Sequence, residues 1–140
     1  MSQYPSPITQ LSDEESWAVL ASASYGRLAA TAAGEIDIYP LNYYSDGHSI
    51  LFRTTPGTKL LEMTIHNQVA FEIDEVTDTQ ATSVVVKGTA QWLESGAEIA
   101  EAEKAPLVSW VPTPTYTYVR ITPTHISGRR FQRAESTDEN

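Results

Sequence analysis

The sequence contains no cysteine among its 140 residues. This absence excludes disulfide bonds, thiolate zinc sites, iron–sulfur clusters and cysteine nucleophiles. Histidine is scarce too, since only His48, His66 and His125 occur, far apart and without the spacing of metal ligands. We therefore expect no metal site and assign surface or structural roles to the three histidines.

Long apolar runs are also missing, because no stretch of about 18 apolar residues occurs and no transmembrane helix is expected. The first ten residues lack the basic and apolar regions of a secretory signal. Basic residues are few, with nine Lys and Arg against eighteen Asp and Glu, which gives a net charge of −9. Such an acidic chain disfavours nucleic acid and membrane partners. These features predict a cytoplasmic protein.

What is present is a pattern of about six strands with short helices. The strands are predicted over residues 27–31, 36–43, 50–53, 69–76, 82–93 and 116–126, and the helices over 12–23, 55–66 and 95–104. Hairpin-length links between strands favour an antiparallel barrel over a parallel sheet. We expect a flexible arm over residues 1–10, one domain over 11–133 and a disordered acidic tail over 134–140.

The turn from Arg53 to Lys59 is the first candidate site. It opens a predicted helix, whose N-terminal N–H groups and partial positive charge can hold an anion. Arg53 can form a bidentate pair with a phosphate, and Lys59 adds a second charge. The same residues also fit an ordinary helix start in which Arg53 pairs with a surface acid, so the residues alone leave both interpretations open.

Several short motifs follow one another in a recognisable order. They are YGRLA at 25–29, IYPLNY at 38–43, ILFRT at 50–54, GTKL at 57–60, VAFEID at 69–74, SVVVKGTA at 83–90 and ITPTHISGRRF at 121–131. Taken together, they resemble the pyridoxamine 5′-phosphate oxidase-like FMN-binding split-barrel family, in its small actinobacterial and nitroimidazole-reductase-like branch.

The resemblance implies a six-stranded antiparallel split β-barrel that forms a homodimer and binds two FMN molecules across the subunit interface. It implies FMN-phosphate contacts from the set Arg53, Thr54, Thr58 and Lys59, and a flavin ring along the backbone of Tyr39, Pro40, Leu41 and Asn42. It also implies that Ser83 faces the flavin and that Trp110 reaches the flavin of the partner subunit.

Two departures bear on activity. Thr58 stands where the true oxidases carry an arginine, and the stretch before the 83–90 strand lacks the tryptophan common in this branch. The resemblance therefore favours a reductase-like flavin oxidoreductase acting on an unidentified small molecule, without an assigned catalytic residue. The alternatives are a barrel that binds the deazaflavin F420 or haem, and a flavin-binding sensor without turnover.

Three further features of the strands carry expectations. Glu72 and Asp74 share one face of a strand, where paired carboxylates can do acid–base chemistry, but a solvated outer face is the favoured interpretation. Pro40 removes one ladder donor and predicts a sheet edge or a bulge. Tyr116 and Tyr118 share a face that could form a subunit contact.

Overall fold

The computed structural model of the chain describes residues 8–32, 34–55, 68–107 and 116–133. Within these ranges it forms eight strands and two helices. In chain order they are β1 Ile8–Leu11, α1 Asp13–Ser22, β2 Tyr25–Ala32, β3 Glu35–Asn42, β4 Tyr44–Ser45, β5 Ile50–Thr54, β6 Gln68–Val76, β7 Gln80–Trp92, α2 Gly96–Glu103 and β8 Thr117–Gln132.

The strands form one antiparallel sheet in the order β3-β2-β6-β7-β8-β5-β4, and β1 pairs with the C-terminal part of β8. Strands β3 and β4 lie at opposite ends of this order, yet only Tyr43 separates them in the chain. A single residue can join the two ends only if the sheet curls until they meet. The fold is therefore a curled, half-closed barrel, in agreement with the expected split-barrel class.

The interior of the curl is filled by alternate residues of the long strands. Phe71 on β6, Val84 and Val86 on β7, and Val119 and Ile121 on β8 are each 0% exposed. Their neighbours in sequence point to the outer face, because side chains alternate across a strand. The β-branched run of β7 is thus half core and half surface.

Helix α1 covers the barrel beside the β3–β4 junction. Ser12 and Glu15 form a capping box, with the Ser12 hydroxyl accepting from the Glu15 N–H at 3.1 Å and the Glu15 carboxylate accepting from the Ser12 N–H at 2.9 Å. Leu20 is fully buried, and its carbonyl accepts a 2.6 Å hydrogen bond from the Tyr43 hydroxyl. This bond fixes α1 to the residue that joins β3 and β4. The helix predicted over 12–23 is confirmed, with Ser12 as its N-cap.

A second apolar cluster lies on the outer face, beneath α2. It contains Leu51, Leu93, Ala102 and Tyr118, with Tyr116 packed against it. The Ser95 hydroxyl caps α2 by accepting from the Glu98 N–H. Tyr118 is only 8% exposed within this cluster, so its ring packs inside the chain. The subunit contact expected of Tyr116 and Tyr118 stays a prediction.

Some predicted segments are corrected by the structure, and others lie outside the described residues. Residues 8–10 were predicted to belong to a flexible arm, but Ile8–Leu11 forms β1 against β8. Residues 1–7 lie outside the described residues. The predicted count of six strands is exceeded within the described ranges, mainly because the short strands β1 and β4 were not expected. The predicted helix from 56 onward, the 134–140 tail and Trp110 lie outside the described residues. No helix in the part of the chain that the structure describes is both long and apolar enough to span a membrane.

Candidate functional site

Strand β3 carries the four residues predicted to lie along a flavin ring. It is an edge strand that pairs only with β2 among the described residues, as Pro40 indicated. Tyr39 and Leu41 face the core, whereas Pro40 is exposed and Asn42 half-buried on the outer face. The four side chains are thus divided between two faces. What they share is one backbone edge without a neighbouring strand, and such an edge can present N–H and C=O groups to a ligand.

Arg53 and Thr54 end strand β5, which extends one residue beyond the predicted 50–53. The Arg53 guanidinium stacks over the ring of Tyr116, with 4.1 Å between Cζ and the ring centroid, and donates to the Leu107 carbonyl at 3.2 Å. Thr54 is 8% exposed. Arg53 is therefore held by tertiary contacts on the outer face instead of extending into solvent.

The path of the chain brings β3 and Arg53 to one region. Tyr44 pairs with Leu51 where β4 meets β5. The observed pairing stops there; extended by two residues, the same register would place Asn42 level with Arg53. Both side chains lie on the outer face, since each is two positions from a residue of the outer cluster.

Ser83 is not part of this grouping within one chain. It pairs with Arg129, near the C-terminal end of β8, whereas Arg53 pairs with Tyr118 near the N-terminal end. These are opposite ends of one long strand. Thr58, Lys59 and Trp110 lie outside the described residues, so their predicted contacts stay predictions.

A carboxylate pair and an arginine form an ion-pair cluster on the outer face of β2 and β6. Arg27 Nη2 lies 3.0 Å from Glu72 and 2.9 Å from Asp74. Partial burial raises the pKa of Glu72, Arg27 opposes this shift, and the charge of Asp74 adds to it. The Glu72 and Asp74 side chains are 32% and 49% exposed, which agrees with the solvated face favoured from the sequence.

A second polar cluster was missed by sequence reasoning. Asp46, in the β4–β5 turn, accepts from the N–H groups of His48 and Ser49 and from the Ser49 hydroxyl. Arg120 of β8 donates to that hydroxyl at 2.7 Å and lies 3.5 Å from Asp46. The turn itself was predicted, and Gly47 has the positive φ of 92° that it needs. Nothing local indicated the arginine, which is 74 residues away.

The comparison with protein families decides where the chain belongs. A profile of the family described as pyridoxamine 5′-phosphate oxidase matches residues 12–130. The chain belongs to this family. The match extends from the cap of α1 almost to the end of β8, so it includes every described element except β1.

Three proteins similar to this member of the pyridoxamine 5′-phosphate oxidase family match it over most of their own length. A Mycobacterium tuberculosis protein named uncharacterized protein Rv3129 is 38% identical over 94 residues, which is 67% of this chain and 86% of that protein. A Corynebacterium glutamicum structure, provisionally named a pyridoxamine 5′-phosphate oxidase, is 41% identical with a TM-score of 0.88, covering 94% of this chain and 98% of that one. A structure named an FAD-binding protein from Mycobacterium smegmatis is 40% identical with a TM-score of 0.82, covering 90% and 100%.

The stability that the Asp46 cluster gives to this family member should depend on pH. Partial burial alone would raise the pKa of Asp46, but the hydrogen bonds from His48 and Ser49, with the charge of Arg120, outweigh it and lower the pKa. A lowered folded-state pKa means that the ionised carboxylate stabilises the fold above the unfolded pKa of about 4, and that this stability is lost as pH falls through the folded pKa.

We expect Asp46→Asn to lower the free energy of unfolding at pH 7 by less than about 1 kcal/mol, because the side chain is partly exposed and screened. The difference from wild type should shrink as pH falls below 4, which urea unfolding at several pH values would measure. Asp78→Asn, in the exposed β6–β7 turn, controls for the loss of one negative charge. A difference at Asp46 that stays constant down to pH 3 would contradict this account.

Proposed function

We propose that the chain is a flavin-binding oxidoreductase of the cytoplasm, active as a homodimer with the flavin at the subunit interface. Its substrate is a small molecule. A bound flavin supplies hydride or electron transfer, while the protein supplies position and electrostatics. No side chain of this chain is assigned a proton-transfer role in the reaction.

The observation that carries the proposal is the setting of Arg53. In a chain of net charge −9, this cation is fixed at the end of β5. Along the β4–β5 register it is level with β3, which has a strand neighbour on one side only among the described residues. Stacking on Tyr116 and the bond to Leu107 restrict the guanidinium before any ligand arrives, and restriction in advance reduces the entropic cost of binding. The buried hydroxyl-bearing Thr54 follows directly. A phosphate beside Arg53 and a planar ring along β3 would fit this arrangement.

FMN is the flavin implied by the sequence resemblance, and the relative from M. smegmatis is named an FAD-binding protein. FAD contains the riboflavin phosphate of FMN, so the Arg53 setting suits either molecule. The proposal is therefore a flavin with its riboflavin phosphate at Arg53, and the adenylate half of FAD is an additional possibility that the experiment separates.

The deciding experiment is to purify the protein, release any chromophore by heat and identify it by mass spectrometry. We expect a flavin with its characteristic absorbance. A Soret band would indicate haem, and a deazaflavin mass would indicate F420; either result would overturn the flavin assignment. A colourless protein that binds neither added FMN nor added FAD would refute it.

Arg53→Met should weaken flavin binding about tenfold or more, because a charge-assisted hydrogen bond contributes about 1.5–3 kcal/mol. The methionine keeps an apolar side chain against Tyr116, so folding should persist. Arg133→Met, which removes an exposed arginine directly after β8, is the matched control. Fluorescence titration with FMN measures both, and equal affinities for the two variants would exclude Arg53 from the phosphate site.

The homodimer is supported by the apolar outer face of β3. Ile36 and Ile38 are 73% and 65% exposed. Ile36 borders a groove of about 450 Å³ lined with small residues that include Ala29, Thr31 and Ala70. An edge strand with exposed isoleucines invites association unless it is covered. A second subunit would cover it.

We expect the wild type to sediment as a dimer and Ile38→Lys to shift it toward the monomer, with a dissociation constant at least about tenfold higher, because a charge would be buried in the interface. Val76→Lys makes the same change at another exposed β-branched residue, 64% exposed at the end of β6, and should leave the dimer intact. Analytical ultracentrifugation distinguishes the two. A monomeric wild type would remove the dimer from the proposal.

A further inference from the structure

A cavity lies between α2 and the outer face of β4, β5 and β8. It has a volume of about 320 Å³. Its apolar walls come from Leu51 of β5, Ala102 of α2 and the Ala105–Pro106 turn that follows the helix. Such walls with a few convergent polar groups are the usual composition of a small-molecule pocket.

Two polar side chains in the cavity keep unused hydrogen-bonding capacity. Arg120 donates hydrogen bonds to Ser49 and Asp46 through one nitrogen, Nη1. Its Nε and Nη2 make no hydrogen bond to the described residues. The Tyr44 hydroxyl likewise has no partner among the described residues. A guanidinium has five N–H donors in a fixed fork that matches a carboxylate.

The charges around the cavity limit what it can hold. Asp46 already accepts three hydrogen bonds from its own turn, and it partly neutralises Arg120. Glu101 and Lys104 pair with each other at the exposed rim. The four charges sum to zero, so a single added negative charge suits the site, whereas a phosphate dianion would be repelled by the two carboxylates.

We propose that this cavity binds a small molecule with one carboxylate and an apolar body, the carboxylate on Arg120 with the Tyr44 hydroxyl, and the body against Leu51 and Ala102. Tyr44 and Leu51 lie two residues from Asn42 and Arg53, which is about 7 Å along each strand. The cavity would then border the flavin and take the substrate; that location rests on the proposed function, whereas carboxylate binding does not.

Benzoate is the probe, with neutral benzamide and cationic benzamidine as molecules of matched shape. We expect saturable benzoate binding with a dissociation constant of about 1 mM. The NMR chemical shifts of the Leu51 and Ala102 amides would measure it. Benzamide and benzamidine should each bind at least about tenfold more weakly, in keeping with one charge-assisted pair. Equal affinities for the three molecules, or no saturable binding, would overturn the proposal.

Arg120→Met should weaken benzoate binding about tenfold, and Tyr44→Phe about threefold, because each removes a group that bonds the carboxylate. Arg129→Met makes the same charge change on the same strand, nine residues away, and should leave the affinity within about twofold of wild type. Equal loss in both arginine variants would mean that net charge, not the cavity, binds benzoate. The comparison of probes on the wild type holds even if a variant fails to fold.

The test separates this proposal from the flavin assignment, because it uses amide signals and not flavin absorbance. The titration is run on the protein as purified. A colourless protein that binds benzoate but neither added FMN nor added FAD would refute the flavin proposal and leave this one standing. A yellow protein that does not bind benzoate would support the flavin proposal and refute this one.

Discussion

Replacing Phe71 with alanine should lower the free energy of unfolding by about 4 kcal/mol, the largest effect expected of any single core change here. Phe71 is 0% exposed and meets Tyr43 edge to face, with 4.8 Å between ring centroids. It therefore supports the residue that joins β3 to β4 and holds α1 through Leu20. The loss combines the transfer energy of the ring with a cavity that the curled sheet cannot easily close.

Phe131→Ala is the matched control for this variant. It makes the same chemical change on the outer part of β8, where the ring is only partly buried, so the loss should be about 1 kcal/mol. Urea unfolding followed by circular dichroism gives both values. Similar losses in the two variants would mean that the barrel interior does not depend on Phe71, and that the packing described for the β3–β4 junction is wrong.

The longest strands could be predicted from sequence because they are rich in β-branched and other apolar residues. Strand β7 was expected at 82–93 and is found at Gln80–Trp92, since every second residue of its valine-rich run is core. Strand β8 extends to Gln132 instead of residue 126. Its last part, Ser-Gly-Arg-Arg-Phe, has little strand propensity and is held by pairing with β1 and β7.

Short elements and long-range contacts carried no local signal. Strand β1 has four residues and only Leu11 is buried, so its sequence shows no alternation of apolar and polar residues from which a strand could be predicted. At the site, the position of Arg53 at the end of a strand was predictable, but its partners were not. Leu107 is 54 residues further along the chain, and the Tyr116 ring reaches Arg53 only because β5 and β8 pair. The same holds for Arg120 and Asp46, which meet through tertiary structure alone.

Replacing Gly88 with alanine should destabilise the fold by about 3 kcal/mol, at the upper end for an overpacked site. A Cβ on Gly88 would lie 2.2 Å from the Thr122 carbonyl oxygen and 3.0 Å from the Pro123 Cα. Both are backbone atoms of β8, so no side chain can rotate away to make room. Either β7 and β8 separate locally or the register between them changes.

The close approach at Gly88 lies beside two other features of the β7–β8 pairing, a register shift and the proline Pro123. The pairing of β7 with β8 shifts between Lys87 and Gly88, leaving Thr124 as the extra residue of a bulge. Pro123 lacks an N–H and is tolerated beside a bulge, and the Thr124 hydroxyl bonds the Lys87 carbonyl at 3.1 Å. Bulges increase the local twist of a sheet, so this one contributes to the curl that brings β3 and β5 together.

Gly96→Ala provides the control, because a Cβ there meets nothing within 4 Å and the residue begins α2. It should be neutral or stabilise by up to about 1 kcal/mol, since alanine favours the helix over glycine. Urea midpoints of the two variants therefore move in opposite directions if the bulge is as described. A Gly88→Ala protein as stable as wild type would show that β7 and β8 can separate there without cost, and the curl of the sheet would then need another cause.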